Sequence, residues 1–425
     1  MMTKHWDVVI VGGGLAGYVA ALFLAKANVS VLLVEKGKRV GGRARTDVIK
    51  EHYFNLGPHA LYKQGKAKPI LDELGVMIQG NSPKLGGLLI EGDKDHIAPF
   101  SPIGIATTTF LNWRERKEWL AFMAKLPTIR LESIDDEETF QQWLMRNTTS
   151  RKVQSLVYAL ARLSTYCHAP EYVSAKVVVA HLKASTGGVL YLDGGWQSMI
   201  DQLHNQAVVA GVHIRTQAQV KQIVAEKDRL FTLTLANGEA ITSKKVVYTA
   251  NPKELPDMLQ GETLEPTFFD RLRPVTGAAL DVALTTLPNP KRLFALGTDQ
   301  PLYYSVHSNY AKLSKTRESV VLHVFKYSHP DELIDRDEVK AELEQFLERV
   351  QPGWRSHLIT RRCLPHITVN HRLPQVGDEK ELTQLETSVS GLYLAGDWAS
   401  PDSVLADAAV SSGKRVALEI TEKER

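Results

Sequence analysis

The chain has 425 residues, which is enough for two or three domains. Apolar residues make up 44% and charged residues 23%, a composition typical of folded globular proteins that excludes wholesale disorder. Lys and Arg together number 51 against 48 Asp and Glu, and this net charge of +3 argues against a nucleic-acid-binding surface.

Cysteine usage sets the expected compartment. The two cysteines, Cys167 and Cys363, cannot build a disulfide framework, and no spacing of His and Cys resembles a metal site. We therefore expect no bound metal and a reducing, cytoplasmic environment.

The first predicted elements lie in an uncharged, mostly apolar stretch, residues 8–25, which raises the question of a signal peptide or membrane span. Within it, the β-branched run 8–11 is typical of a buried strand, and the glycines 12–14 are typical of a tight turn. Residues 15–27 are predicted to form a helix and residues 30–35 a second strand. The pattern favours a βαβ unit over a spanning helix.

The turn of this unit carries a dinucleotide-binding fingerprint. Its G-x-G-x-x-G spacing is formed by Gly12, Gly14 and Gly17, with Leu15 and Ala16 between the last two glycines. The first glycine permits the turn, the second lets the backbone approach a pyrophosphate, and the third lets helix and strand pack closely. Glu35, followed by Lys36, ends the second strand, where a carboxylate can accept hydrogen bonds from a ribose.

A second glycine-rich loop follows at residues 39–44, where Arg43 comes directly after Gly42 and is placed to meet a phosphate. Further along the chain, the hydrophobic pattern predicts helices over Trp113–Ala124, Thr139–Met145, Lys152–Leu163 and Asp337–Val350. It predicts strands over Phe231–Leu235, Ala278–Leu284 and Val320–Tyr327.

Near the C-terminus, residues 391–397 predict a strand that ends in Gly396 and Asp397, with a helix beginning around Val404. With these motifs, the sequence resembles the FAD-dependent amine oxidase and phytoene desaturase superfamily, which includes protoporphyrinogen oxidase. The resemblance covers essentially the whole chain.

The resemblance implies an α/β fold with a discontinuous, Rossmann-like FAD-binding domain and an inserted mixed α+β substrate domain. We assign residues 1–60, 186–275 and 376–425 to the first domain, and residues 61–185 and 276–375 to the second.

The resemblance also implies how one FAD is held. Gly12, Gly14 and Gly17 would cradle the pyrophosphate, and Glu35 would bind the adenosine ribose. The backbone at Val220 would contact the adenine, while Arg43 and Asp397 would lie along the phosphates and ribityl chain. The full set of FAD-binding candidates is Gly12, Gly14, Leu15, Ala16, Gly17, Glu35, Lys36, Gly42, Arg43, Val220, Gly396, Asp397, Leu405 and Ala406. The last two would offer backbone N–H groups to the pyrimidine end of the flavin ring. Some members of this superfamily attach the flavin covalently to a cysteine in the C-terminal segment. Residues 400–405 contain no cysteine, so the resemblance implies noncovalent FAD.

The expected activity is dehydrogenation of a largely apolar small molecule, with hydride transfer to flavin N5, in the style of phytoene desaturase. Amine oxidases of this superfamily commonly place a lysine near N5, on a strand of the form Gly-Ala-x-x-Lys. The comparable stretch here, residues 277–281, ends in Asp281. No catalytic acid–base pair is evident, so the catalytic residues are left unassigned. Without a second dinucleotide motif, the expected electron acceptor is oxygen, a quinone or another acceptor.

Two alternatives stay open: an oxidase of amines or of a porphyrinogen, and a non-catalytic binding protein like the Rab GDP-dissociation inhibitors, which share this architecture. The segment Phe110–Leu126 allows peripheral membrane contact, although an amphipathic core helix is favoured. Candidate residues for the substrate cavity are Arg162, Tyr166, Tyr191, Tyr304, His307 and Trp398.

Overall fold

The computed structural model describes residues 5–84, 86–226, 230–261, 264, 266–316 and 319–423. The strands are β1 (His5–Val11), β2 (Val31–Val34), β3 (Thr46–Ile49), β4 (His52–Asn55), β5 (Leu61–Tyr62), β6 (Gly80–Asn81), β7 (Leu88–Glu91), β8 (Lys94–Ile97), β9 (Val189–Leu192), β10 (His213–Arg215), β11 (Val220–Ala225), β12 (Phe231–Leu235), β13 (Ala240–Tyr248), β14 (Leu259–Gln260), β15 (Val275–Leu284), β16 (Phe294–Gly297), β17 (Leu302–Ser305), β18 (Val320–Tyr327), β19 (Leu358–Asn370) and β20 (Leu392–Leu394).

The helices are α1 (Leu15–Lys26), α2 (Ala67–Glu73), α3 (Pro102–Thr107), α4 (Trp113–Lys125), α5 (Phe140–Asn147), α6 (Arg151–Thr165), α7 (Ala175–Thr186), α8 (Gln197–Val209), α9 (Leu255–Met258), α10 (Pro266–Arg271), α11 (Arg336–Val350), α12 (Asp378–Glu381) and α13 (Leu405–Glu422).

The first sheet has the strand order β10-β2-β1-β13-β12-β11-β14, and β20 also pairs with β13. The strands β10, β2, β1, β13 and β20 run parallel, and β2 (Val31–Val34) is buried at every position. A parallel strand covered on both faces needs an uninterrupted apolar run, which is why these segments read as continuous hydrophobic sequence. Helices α1 and α13 pack together on this sheet, where Gly413 of α13 lies against the backbone of Ala16.

The second sheet has the order β19-β15-β18-β17-β16-β7-β8 and is antiparallel except where β16 pairs with β7. Its central strand β15 is buried along its whole length. The helices α4, α5, α6 and α7 share a hydrophobic core with this sheet, in which Trp119, Trp143 and Leu156 are buried. The expected fold class, an α/β Rossmann-like unit combined with a mixed α+β unit, is confirmed.

The elements predicted from sequence are present. Strands β12 and β18 have the predicted bounds, and the helices at 113, 139, 152 and 337 begin and end within two residues of the prediction. Residues 8–25 form the end of β1, the glycine turn and most of α1. Among the residues described, no helix combines the length and apolar character needed to cross a bilayer.

The segment Phe110–Leu126 packs in the way favoured from its sequence. Phe110, Trp119, Phe122 and Leu126 are buried in the core shared with the second sheet, whereas Trp113 remains 61% exposed. This arrangement is that of an amphipathic helix with its apolar face on the core.

Candidate functional site

A cleft of about 540 Å³ runs from the carboxyl ends of β1 and β2 to the edge of the second sheet. It is lined by thirteen of the fourteen predicted cofactor residues: Gly12, Gly14, Leu15, Ala16, Glu35, Lys36, Gly42, Arg43, Val220, Gly396, Asp397, Leu405 and Ala406. The remaining one, Gly17, does not line the cleft. The fold therefore gathers motifs from both ends and the middle of the chain into one cavity.

The three glycines of the first turn have different structural tasks. Gly12 has a φ of +117°, and a Cβ there would lie 2.5 Å from Oγ1 of Thr249. A Cβ at Gly17 would overlap the carbonyl oxygen of Gly12, so this glycine allows α1 to pack against the turn. Gly14 has an extended backbone, and a Cβ there would meet nothing within 4 Å. The space beside Gly14 is open and lies at the N-terminus of α1. Backbone N–H groups at a helix N-terminus can bind a phosphate.

Glu35 stabilises the same turn. One carboxylate oxygen accepts a hydrogen bond from the backbone N–H of Gly13 at 2.9 Å, and the other accepts from Gly37 at 2.7 Å. Lys36 points to Glu254, with 3.3 Å between Nζ and Oε1. Glu35 is therefore held at the cleft surface in a fixed orientation, as a ribose-binding carboxylate requires.

At the centre of the cleft, Arg43 and Asp397 form a bidentate ion pair with two N–O distances of 2.6 Å. The backbone N–H of His371 also donates to Asp397 at 2.7 Å, and Arg43 donates to the carbonyl of Val369. Burial alone would raise the pKa of Asp397, but the Arg43 charge and the His371 hydrogen bonds hold that pKa well below its usual range. Asp397 is therefore a permanently charged acceptor whose partners fix its position.

The start of α13 is strained at the cleft. Leu405 has a φ of +59°, a left-handed conformation that a leucine rarely adopts, and its N–H points to Oδ1 of Asn370 at 3.3 Å. Val404 precedes it in extended conformation without a side-chain cap. Leu405 and Ala406, in the first turn of this helix, line the cavity, and the first N–H groups of a helix have no partner within the helix.

The end of the cleft next to the second sheet is apolar and aromatic. The ring of Tyr166 lies edge-on to Phe325 at 5.2 Å, and its hydroxyl donates to the carbonyl of Pro58 at 2.5 Å. Gly57 has a φ of +90°, and a Cβ at this position would contact the side chain of Ile367. Leu56 and Leu364 complete this wall. Such a surface suits a largely apolar ligand.

Asp281 does not line the cleft. It is fully buried and bonds to His323 at 2.6 Å and to the Arg362 guanidinium, with 3.0 Å to Nε. Arg362 also donates to the carbonyl of Asn55, directly before the 56–60 loop. Among the described residues that line the cleft, the one lysine is Lys36, at the Glu35 end. The acid at position 281 thus anchors the loop that forms the cleft wall.

Most of the predicted substrate-cavity residues lie elsewhere. Tyr166 lines the cleft, but Tyr191 stacks on His307 in a separate hydrophobic core, and Tyr304 bonds to Gln351 and the carbonyl of Arg292. Trp398 is buried with its indole N–H on the carbonyl of Ala250. The prediction was wrong for Tyr191, His307, Tyr304 and Trp398. Aromatic character indicates that a residue is buried, but it does not indicate which cavity the residue borders. No sequence signal pointed to His371, whose backbone N–H donates a hydrogen bond to Asp397.

Neither cysteine reaches the cleft. Cys167 is buried near a second, smaller cavity, and Cys363 is half-buried on β19. Within the described ranges there is also no group of three or more His, Cys, Asp or Glu that could hold a metal ion.

Asp407, on the first turn of α13, lines the cleft and caps α2 by accepting a hydrogen bond from the N–H of Ala67 at 2.8 Å. Burial raises the pKa of its carboxyl to about 6. Because the unfolded chain releases this proton near pH 4, the folded state binds more protons between pH 4 and 6, and stability falls as pH rises through this window.

We expect Asp407→Asn to remove this loss. Relative to the variant, the parent protein should lose up to about 3 kcal/mol of unfolding free energy between pH 4 and pH 6.5, measured by urea unfolding. Asp402→Asn, which alters a half-exposed carboxylate nearby, serves as the control and should leave the pH dependence in this window unchanged. A parallel pH profile for Asp407→Asn and the parent would contradict the assignment.

The fold combines two units, one around each large sheet, and residues of both line the cleft. The chain belongs to the flavin containing amine oxidoreductase family, whose sequence model matches residues 15–421.

The relatives that the chain matches include a desaturase, an oxygenase and oxidases of amines and amino acids. The chain is 25% identical over 293 residues to the hydroxyneurosporene desaturase of Rubrivivax gelatinosus, covering 60% of this chain and 55% of the relative. It is 26% identical over 288 residues to the 4,4'-diapolycopene oxygenase of Methylomonas sp, covering 59% and 56%. The chain thus spans little more than half the length of these curated relatives.

Among solved structures, the fold is similar to that of the cyclohexylamine oxidase of Brevibacterium oxydans IH-35A. The TM-score is 0.74 with 16% identity, covering 99% of this chain and 100% of the other. At this identity the likeness establishes the fold alone.

Proposed function

We propose that the protein is an oxidoreductase that binds FAD noncovalently and dehydrogenates a largely apolar small molecule. The observation that carries the proposal is the joining, in one cleft, of a charged dinucleotide-binding end with a wall formed by Leu56, Tyr166, Phe325, Leu364 and Ile367. When bound, FAD would supply the hydride acceptor.

The residues of the cleft fit that cofactor. The open side of Gly14 leaves room for the pyrophosphate, and Glu35 would accept hydrogen bonds from the adenosine ribose. Arg43 lines the cleft in an ion pair with Asp397, and the two would face the phosphates or ribityl chain. The N-terminus of α13 at Leu405 and Ala406 would stabilise negative charge at the pyrimidine end of the ring.

A noncovalent cofactor is supported by the position of the cysteines, since neither described cysteine borders the cleft. The domain division at 1–60, 186–275 and 376–425 remains part of the proposal. In it the unit around the parallel sheet binds the cofactor, and the unit around the second sheet contributes the substrate wall.

The apolar wall also bears on the choice of substrate. A desaturase of polyene-like molecules needs a dry, shape-defining pocket and no amine-orienting acid or base beside the reacting bond. Similarity to a hydroxyneurosporene desaturase supports this choice. Electrons would leave to oxygen, a quinone or another small acceptor.

Anaerobic reduction of the bound flavin tests the proposal. We expect apolar polyenes presented in detergent to bleach the visible absorbance band of the flavin, and primary amines and protoporphyrinogen to leave it unchanged. Tyr166→Ala, which opens the aromatic wall, should slow bleaching roughly tenfold or more, whereas Tyr172→Ala, which removes a half-buried tyrosine that does not line the cleft, should not. Rapid bleaching by amines with hydrogen peroxide release in air would favour the amine oxidase alternative.

A further inference from the structure

A second cavity, of about 130 Å³, lies beneath the C-terminal end of α6. Most of its lining is apolar, including Phe140, Ala161 and Val173. Its polar lining includes Arg162, Tyr158 and His168. No part of the cofactor site extends into it, so its polar groups need a separate explanation.

Arg162 is a buried cation without an acidic partner. The side chain lies in the last turn of α6, and the residue is only 6% exposed. Its Nη2 donates to the carbonyl of Gly297 at 2.9 Å, but its Nε has no hydrogen-bond partner. In the described part of the chain, no carboxylate lies within 4 Å of this guanidinium. Burying an uncompensated charge is costly, which is the reason such groups are normally paired.

The nearest candidates do not neutralise Arg162. Asp299 interacts with Arg162 only through a Coulomb interaction at a distance. The Asp299 carboxylate is exposed and accepts hydrogen bonds from the N–H groups of Gly92 and Gln300. Burial, with the Arg162 charge adding to it, lowers the pKa of His168 to about 4, so this histidine is neutral at pH 7. The cavity therefore carries a single positive charge.

A second hydrogen-bond donor faces the same space. The hydroxyl of Tyr158, one turn before Arg162 on α6, is buried and has no partner. The cavity is mostly apolar but also borders Ser155, Thr165, His168 and Thr298. A guanidinium together with a phenol hydroxyl in such a cavity matches a planar monoanion with a short apolar tail. A doubly charged phosphate would leave one charge uncompensated. We propose that this cavity binds a carboxylate group through Arg162 and Tyr158.

Tyr166 separates the new site from the cleft. Its neighbours Thr165 and Cys167 line the second cavity, while Tyr166 itself lines the cleft, turned there by a φ of +62°. The carboxylate can thus come from two sources: a free small acid that binds by itself, or the end of a substrate that reaches past Tyr166. The second source rests on the proposed function, whereas the first does not.

Thermal unfolding with acetate and propionate, against chloride at equal ionic strength, tests the site. We expect both carboxylates to raise the Tm of the parent protein and of Arg151→Gln, which alters an exposed arginine on the same helix. Arg162→Gln should weaken binding about tenfold or more. An equal response of all three proteins, or no response of the parent protein, would overturn the proposal.

Tyr158→Phe provides a second variant that removes only one hydroxyl and keeps the fold of α6. It should weaken carboxylate binding severalfold, and binding as tight as in the parent protein would count against the site. If acetate competes with the substrate in the bleaching assay, the carboxylate that the cavity binds belongs to the substrate. If acetate binds without competing, the cavity binds a separate small acid. Because thermal unfolding needs no turnover, this test can succeed even if the proposed reaction is wrong.

Discussion

Asp397→Ala will lose most of its bound flavin and about 3 kcal/mol of unfolding free energy. The substitution removes two bonds to Arg43 and the bond from the backbone of His371, and leaves the guanidinium without its carboxylate. A broken buried ion pair costs about 3–5 kcal/mol, and we expect the lower value because 34% of the Arg43 side chain is exposed to water. Urea unfolding and the ratio of flavin to protein absorbance measure the two effects.

Asp402→Ala is the matched control for this prediction. Asp402 also forms a short ion pair, at 2.5 Å with Lys66, but both side chains are about half exposed. Exposed ion pairs contribute less than about 1 kcal/mol, so this variant should keep its flavin and nearly all of its stability. Equal losses in the two variants would show that Asp397 has no special role.

Gly14→Val and Gly17→Ala will separate cofactor binding from folding. At Gly14 the backbone is extended and a Cβ meets nothing, so valine should cost the cofactor-free protein no more than about 1 kcal/mol, the usual cost of an unfavourable N-cap residue. Its side chain would instead occupy the space assigned to the pyrophosphate. We expect FAD affinity to fall by roughly tenfold to a hundredfold, as the cost of overpacking a site indicates.

Gly17→Ala should act on the fold itself. Its Cβ would overlap the carbonyl of Gly12, a backbone atom that can yield only if α1 moves away from the turn. We expect a loss of about 1–3 kcal/mol even without cofactor, measured by thermal and urea unfolding. Unchanged flavin content in Gly14→Val would contradict the placement of the cofactor, whatever the result for Gly17→Ala.

The cofactor half of the cleft was predictable because its signals are local. A tight turn needs glycine, a doubly covered parallel strand needs a continuous apolar run, and both leave marks within a few residues. For the same reason β12 and β18, with strongly patterned sequences, were predicted with their observed bounds. The resemblance also implied that Arg43 and Asp397 lie close together, and in the structure they form an ion pair.

Contacts between distant parts of the chain could not be predicted in the same way. The ion pair of Arg43 with Asp397 joins residues 354 positions apart, and the backbone of His371 enters through the end of β19, where no motif marks it. Aromatic residues signal burial, but several cavities and cores compete for them. Tyr191, Tyr304 and Trp398 were therefore assigned to the wrong surroundings.

Asp281 illustrates how structure changes the meaning of a sequence departure. From the sequence, the acid is notable as the residue that replaces a lysine near the cofactor. In the fold it lies behind the cleft wall, where His323 and Arg362 surround it. Its contribution is to hold Arg362 on the carbonyl of Asn55 and so to position the loop that follows.

The visible absorbance spectrum of the purified protein, followed by release of the chromophore with denaturant, tests the central claim most directly. We predict a flavin spectrum whose chromophore leaves the denatured chain completely and is FAD. A colourless protein that cannot be reconstituted with FAD would contradict the enzyme assignment and favour a binding protein of the same architecture. A flavin that stays attached to the denatured chain would contradict noncovalent binding.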